Sequence, residues 1–89
     1  MEEMHLFATG LVQGVGFRAA VKWRAAEHQI KGYVRNLPDG RVEIVAQGSK
    51  SQLSAFADQI RSSPGAGRVD HLEVSHRTAA RPYDSFQVL

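Results

Sequence analysis

Between Gly10 and Arg18 the chain reads Gly-Leu-Val-Gln-Gly-Val-Gly-Phe-Arg, and this stretch limits what the polypeptide around it can become. An apolar, strand-like run, Leu6 to Ala8, leads into it, and an Ala-rich run without glycine leads out. The pattern predicts strand, sharp turn, helix. Glycines allow positive φ and bring bare N–H groups close to a ligand. A helix start adds unsatisfied N–H donors and a positive partial charge. Together these form a cradle for an anion such as phosphate. Arg18, at the expected helix start, adds a planar fork of donors matched to phosphate oxygens. The plainer alternative is a strand-to-helix turn whose glycines serve geometry alone. An arginine there opposes the helix dipole slightly, which favours an anion held between it and the N–H groups.

The remaining pattern is read from periodicity. His5 to Val12 reads as a strand with Met4, Leu6, Ala8, Gly10 and Val12 on one face. A helix follows from Phe17 to about His28. Its buried stripe is either Phe17, Val21, Ala25 and His28 or Ala19, Trp23, Ala26 and Ile30, and both remain open. Lys31 to Leu37 and Arg41 to Gln47 are strands joined at Pro38-Asp39-Gly40, a tight-turn signal. Val42, Ile44 and Ala46 form the inner face of the second of these. Ser49 to Gln52 opens a second helix as a capping box, with Leu53, Phe56, Ala57 and Ile60 as its stripe. Val69 to Arg77 and Ser85 to Leu89 are the last strands. The order βαββαβ, plus a short terminal strand, predicts an α+β ferredoxin-like sandwich. Its sheet is antiparallel, of four to five strands, with both helices on one face. Residues 1–89 form a single domain on this reading.

Val12-Gln13-Gly14-Val15-Gly16-Phe17-Arg18 resembles the signature of the acylphosphatase family. Gly32-Tyr33-Val34-Arg35-Asn36-Leu37-Pro38-Asp39-Gly40-Arg41-Val42-Glu43 resembles that family's other motif. The order and spacing are also the family's, and a looser likeness runs from about Leu6 to Val88. The resemblance implies the same sandwich fold. It implies hydrolysis of the carboxyl–phosphate bond of acyl phosphates, without a metal, cofactor or covalent intermediate. It implies that the N–H groups of Gln13, Gly14, Val15, Gly16, Phe17 and Arg18, with the Arg18 side chain, hold the phosphoryl group. It implies that Asn36 orients the attacking water. Asn36 is the only asparagine in the chain. The neighbouring Pro38-Asp39-Gly40 already supplies the turn chemistry, so Asn36 is not needed to begin the turn.

Other chemistries fit less well. Gly14-Val15-Gly16-Phe17-Arg18-Ala19 also matches the dinucleotide fingerprint, but a hairpin follows where a larger parallel sheet is needed. The chain has no cysteine, and neither motif contains serine or histidine, so the usual partners of a covalent phospho-enzyme are missing. His5, His28, His71 and His76 lack ligand-like spacing, and no metal site is expected. Glu43 and Asp39 are the acids nearest the second motif and read as solvated. An acyl phosphate has a good leaving group, and by resemblance its own phosphate takes the proton from water. Ala19 stands where bacterial members often carry an aromatic residue, a change that would enlarge or loosen the rim of the site. His28-Gln29 replaces a common Leu-Gly, placing a non-glycine residue at the expected C-cap.

The formal net charge is +2, and eight of the eleven cations are arginine, a balance suited to a small anion rather than nucleic acid. Inorganic phosphate is expected as product and competitor. No apolar run approaches the roughly 18 residues of a membrane span. The acidic start Met1-Glu2-Glu3-Met4 lacks the layout of a signal peptide. A cytoplasmic monomer is the resulting expectation. A non-catalytic ligand- or RNA-binding module of the same fold is the alternative. Phe7 would serve such a module, but the outer face of the third strand offers Arg41, Glu43 and Val45, with no aromatic. A third reading is an acylphosphatase-like domain acting in regulation or carbamoyl transfer within an assembly. The chain's end at Leu89 and the presence of both motifs favour the free enzyme over that reading.

Overall fold

In a computed structural model, residues 2–89 form seven elements in one sheet-and-helix sandwich. Met1, the first residue of the acidic start, lies outside the described residues. Strand β1 spans Glu2–Leu11, helix α1 Phe17–Glu27, β2 Lys31–Asn36 and β3 Val42–Gly48. Helix α2 spans Lys50–Ser62, β4 Arg68–Thr78 and β5 Phe86–Val88. The sheet order is β4-β1-β3-β2-β5.

The ferredoxin-like arrangement is as expected, with one refinement. β1–β3, β1–β4 and β2–β3 pair antiparallel, but β5 pairs parallel to β2, so the sheet is mixed. The three-residue β5 carries too little pattern to reveal its direction. It returns from the loop after β4 and adds outside β2.

The expected inner faces form the core. Met4, Leu6 and Ala8 of β1 join Val42, Ile44 and Ala46 of β3 and Val34 of β2. Both helices cover this same face and touch one another. α1 contributes Phe17, Val21 and Ala25, and α2 contributes Leu53, Phe56, Ala57 and Ile60. This decides the ambiguity in α1. Trp23 points outward at 67% exposure, and of its stripe only Ile30, beyond the helix end, is buried. The Ser49–Gln52 capping box forms, with both reciprocal bonds present.

The opposite sheet face was less legible. Glu43 is buried rather than solvated, between the His5 ring at 2.7 Å and the Arg35 guanidinium at 2.5 Å. Burial raises its carboxyl pKa, but hydrogen bonds and charge from His5 and Arg35 outweigh this and hold it below its ordinary value. Glu3 is likewise buried, paired with Arg77 and Gln47. The Arg41 guanidinium lies 4.5 Å from the centre of the Phe7 ring and covers the aromatic that an RNA platform would present.

The end of α1 carries the one non-glycine residue with positive φ among the described residues, Gln29 at 57°. Its amide oxygen accepts from Gln52 at 3.1 Å, and His28 bonds Gln59 at 2.6 Å, so both departures from Leu-Gly link α1 to α2. Left-handed geometry costs a side-chain-bearing residue about 1 kcal/mol. Gln29→Gly relieves this and loses only an exposed bond. Its melting temperature should rise by roughly 4–8 °C at most, the response of a small domain to about 1 kcal/mol. A fall in a thermal melt would show that the Gln52 bond outweighs the strain.

Candidate active site

The turn between β1 and α1 is anchored at both ends and open between them. Val12 and Phe17 are each 1% exposed and fix the chain to the core. Gly14, Val15 and Gly16 are exposed. Gly14 and Gly16 have φ of 75° and 83°, a region that side chains resist. A Cβ at Gly14 would meet nothing within 4 Å, so backbone shape alone requires glycine there, and the space beside it is open.

Helix α1 begins without a cap. Gly16 is the N-cap residue, no side chain caps it, and no acid lies in the first turn. Among the described residues, no hydrogen bond engages the N–H groups of Gly14 to Ala19. Helix α2, by contrast, closes its start with Ser49 and Gln52. A run of N–H donors without protein acceptors, at a positive helix end, is the electrostatic form of an anion site. Arg18 adds its charge, and no acid pairs with it among the described residues. Its Nη1 donates to the main-chain oxygen of Leu89 at 2.6 Å.

Two hydrogen-bonded ties bring the second motif to this turn. The Gln13 side chain turns toward the β2–β3 hairpin, and its Nε2 donates to the carbonyls of Leu37 and Arg41, each at 2.9 Å. The second tie starts at Arg18. Leu89, which accepts from Arg18, donates its own N–H to Val34 at 2.9 Å. Asn36 lies two residues after Val34 on the same face of β2 and one residue before Leu37. It is therefore bracketed by the ties from Gln13 and Arg18. Asn36 is exposed, and its side chain makes no hydrogen bond among the described residues. The hairpin tip holds itself with Leu37 N–H to Arg41, Gly40 N–H to Leu37, and Arg41 N–H to the Asp39 carboxylate.

The expected site residues thus come together, with distinctions. The Phe17 ring is in the core, so only its main chain is available to a ligand. Gln13 directs its amide away, into the hairpin, and its side-chain role was not read from the sequence. The Leu89 oxygen was missed too, since nothing local to Leu89 signals a partner 71 residues away. Glu43 alternates with the inward Val42 and Ile44, so it faces away from α1. Among the described residues, no group of three or more His, Asp or Glu is placed to hold a metal, and no helix is long and apolar enough to cross a membrane.

A model of the acylphosphatase family matches residues 4–88. The chain belongs to the acylphosphatase family. It is 39% identical over 89 residues to an acylphosphatase of Syntrophus aciditrophicus, covering 100% of this chain and 93% of that protein. It is 45% identical over 89 residues to one of Lactiplantibacillus plantarum, covering 99% of this chain and 98% of that protein. The crystal structure of Bacillus subtilis acylphosphatase superposes with a TM-score of 0.92 at 32% identity, covering 100% of this chain and 99% of that one. Membership carries the family's activity, hydrolysis of acyl phosphates, and the chain is an enzyme rather than a binding module.

The Gln13 tie has a measurable consequence. Gln13→Leu keeps the bulk and removes both donors, at an expected loss of about 1–2 kcal/mol. Amide exchange at Leu37 and Gly40 should quicken as the hairpin tip opens more often. Unchanged exchange at both amides would show that the tip needs no help from the Gly-rich turn.

Proposed function

We propose that the turn and Arg18 hold the phosphoryl group of an acyl phosphate while Asn36 orients the attacking water. The supporting observation is the free run of N–H donors from Gly14 to Ala19 beside Arg18, with Asn36 bracketed by the two ties. The N–H groups from Gln13 to Arg18 take phosphoryl oxygens. Arg18 uses one donor on Leu89 and keeps its others for substrate. The Asn36 amide donates and accepts at once, which suits a water held in line with the bond that breaks.

Water oxygen bonds to phosphorus, and the bond from phosphorus to the acyl oxygen breaks. The carboxylate leaves with that electron pair. The proton lost by water passes to a phosphoryl oxygen, so no side chain serves as base. Charge spreads over the phosphoryl oxygens in a loose transition state, and fixed donors stabilise it without reorganising. Inorganic phosphate occupies the same cradle and competes with substrate. The chain works as a monomer and as one domain.

Two variants separate binding from water positioning. Arg18→Ala should lose at least ~10²-fold in kcat/KM and bind phosphate more weakly, with the fold intact. Lysine should restore activity only in part, lacking the two-pronged contact. Asn36→Ala should keep phosphate affinity within a few-fold while kcat falls by roughly 10²-fold. Phosphate titration beside kcat distinguishes them. Loss of phosphate binding in proportion to activity in Asn36→Ala would make Asn36 a cradle or structural residue. A fully active Arg18→Ala would remove Arg18 from the mechanism.

A further inference from the structure

The part of β2 that carries Asn36 has a strand neighbour on one side only. β5 pairs with β2 from Gly32 to Val34, and the Leu89 N–H still reaches the Val34 carbonyl. Arg35 and Asn36 lie past that point. They pair with Glu43 and Val42 of β3, the last rungs before the hairpin tip. The Asn36 side chain makes no hydrogen bond among the described residues, so its direction is inherited from the main chain. Free strand ends are where a structure opens locally first. A residue meant to hold a water in line therefore stands where its own strand is least secured.

A clamp across three strands secures it from the opposite face of the sheet. Arg35 alternates with the inward Val34, so it faces away from α1, and its Nε donates to Glu43 Oε1 at 2.5 Å. The other oxygen of Glu43 bonds His5 Nε2 of β1 at 2.7 Å, and the His5 ring lies 4.6 Å from that of Phe7. Glu43 belongs to β3, the middle strand, whose residues Val42 to Gln47 are all buried. An ordinary surface ion pair contributes little, because two mobile side chains must both be ordered. Here burial and His5 have already ordered the carboxylate. The restraint therefore falls on Arg35, whose side chain is half exposed, and on the strand that carries it. Gln13 holds the chain after Asn36, through the carbonyls of Leu37 and Arg41. The Arg35 contact holds it one residue before.

We infer that Arg35, anchored on the buried Glu43, is a positioning residue that sets the direction of Asn36 during hydrolysis. This rests on the assignment of the attacking water to Asn36. Arg35 points to the open side of the sheet and touches neither the phosphoryl group nor the water. It keeps the last rungs of β2 paired with β3, and the amide on the other face keeps its aim. A displacement of about 1 Å at a reacting group lowers the rate severely, so a small loosening of this strand end is felt at the water. The cradle belongs to the β1–α1 turn and does not depend on the clamp.

The experiment measures kcat on acetyl phosphate beside the affinity for inorganic phosphate, in the wild-type protein and in an Asn36→Ala background. Arg35→Gln should lower kcat by about tenfold in the wild-type background and leave phosphate affinity within about twofold. The contact to Glu43 uses a single Nε, so Arg35→Lys should keep kcat within about threefold of the wild type. In the Asn36→Ala background, Arg35→Gln should cost less than about twofold more, because no amide remains to be aimed. A purely structural role for Arg35 would cost the same factor in both backgrounds. That result would overturn the inference, as would an Arg35→Gln variant as fast as the wild type, or one that loses phosphate affinity in step with kcat. Failure of the underlying reading looks different. A fully active Asn36→Ala variant would sink both, whereas a slow Asn36→Ala variant in which Arg35→Gln still costs its whole factor would sink only this one.

Discussion

A helix that starts on glycine, with no cap and no acid in its first turn, leaves several N–H groups without a protein acceptor. Most helices close this end with a side chain, as α2 does with Ser49 and Gln52. In α1 the donors from Gly14 to Ala19 stay free, and Arg18 adds positive charge where the helix dipole is already positive. This arrangement is locally unfavourable and has to be held by its surroundings. Val12 and Phe17 supply the hold by burying completely on either side of the turn. Without those two anchors, the turn would be free to collapse and close its donors on other parts of the chain.

Holding the turn open is only half of the problem, because the second motif belongs to a different strand. The sheet sets β2 beside β3, but register alone does not connect the hairpin tip to the turn after β1. The Gln13 amide makes that connection through two carbonyls, and the chain from Arg18 through Leu89 to Val34 makes another from the helix side. The Gln13 tie uses no ionised acid. A carboxylate placed at the turn would compete with phosphate for the same donors. The neutral carbonyls of Leu37 and Arg41 orient Gln13 without neutralising the site.

What was legible in the sequence was local. The Gly-rich turn, the Pro38-Asp39-Gly40 hairpin, the capping box and the stripe of α2 are short-range patterns, and each formed. The inner faces of β1 and β3 were equally plain because alternation is a period of two. Long-range pairing was not visible. Nothing in Phe86-Gln87-Val88 told that β5 would run parallel to β2. Glu43 read as solvated and Glu3 only as part of an acidic start, because single residues do not announce the His5, Arg35, Arg77 and Gln47 that meet them across strands. In α1 two apolar stripes competed, and Trp23 gave the wrong one its weight. The sheet decided between them, since Phe17, Val21 and Ala25 are buried in the common core with Val34 and Ile44. In the site, the roles of Arg18 and Asn36 were suggested by motif, while the contacts that place them, through Gln13 and Leu89, lay 24 to 71 residues away.

The two sheet faces divide the charges between them. On the open face, buried Glu3 and Glu43 engage Arg77 and Arg35, so those cations are committed to structure. A buried acid left without its partner would be strongly destabilising, which keeps those arginines in place. On the helix side, no aspartate or glutamate pairs with Arg18 or Lys22 among the described residues. The modest net charge of +2 thus hides an uneven distribution. Paired charges hold the open face of the sheet together. The unpaired cations on α1 stand along one line, beginning where the free N–H groups are. A small anion would be drawn to the head of that line by both.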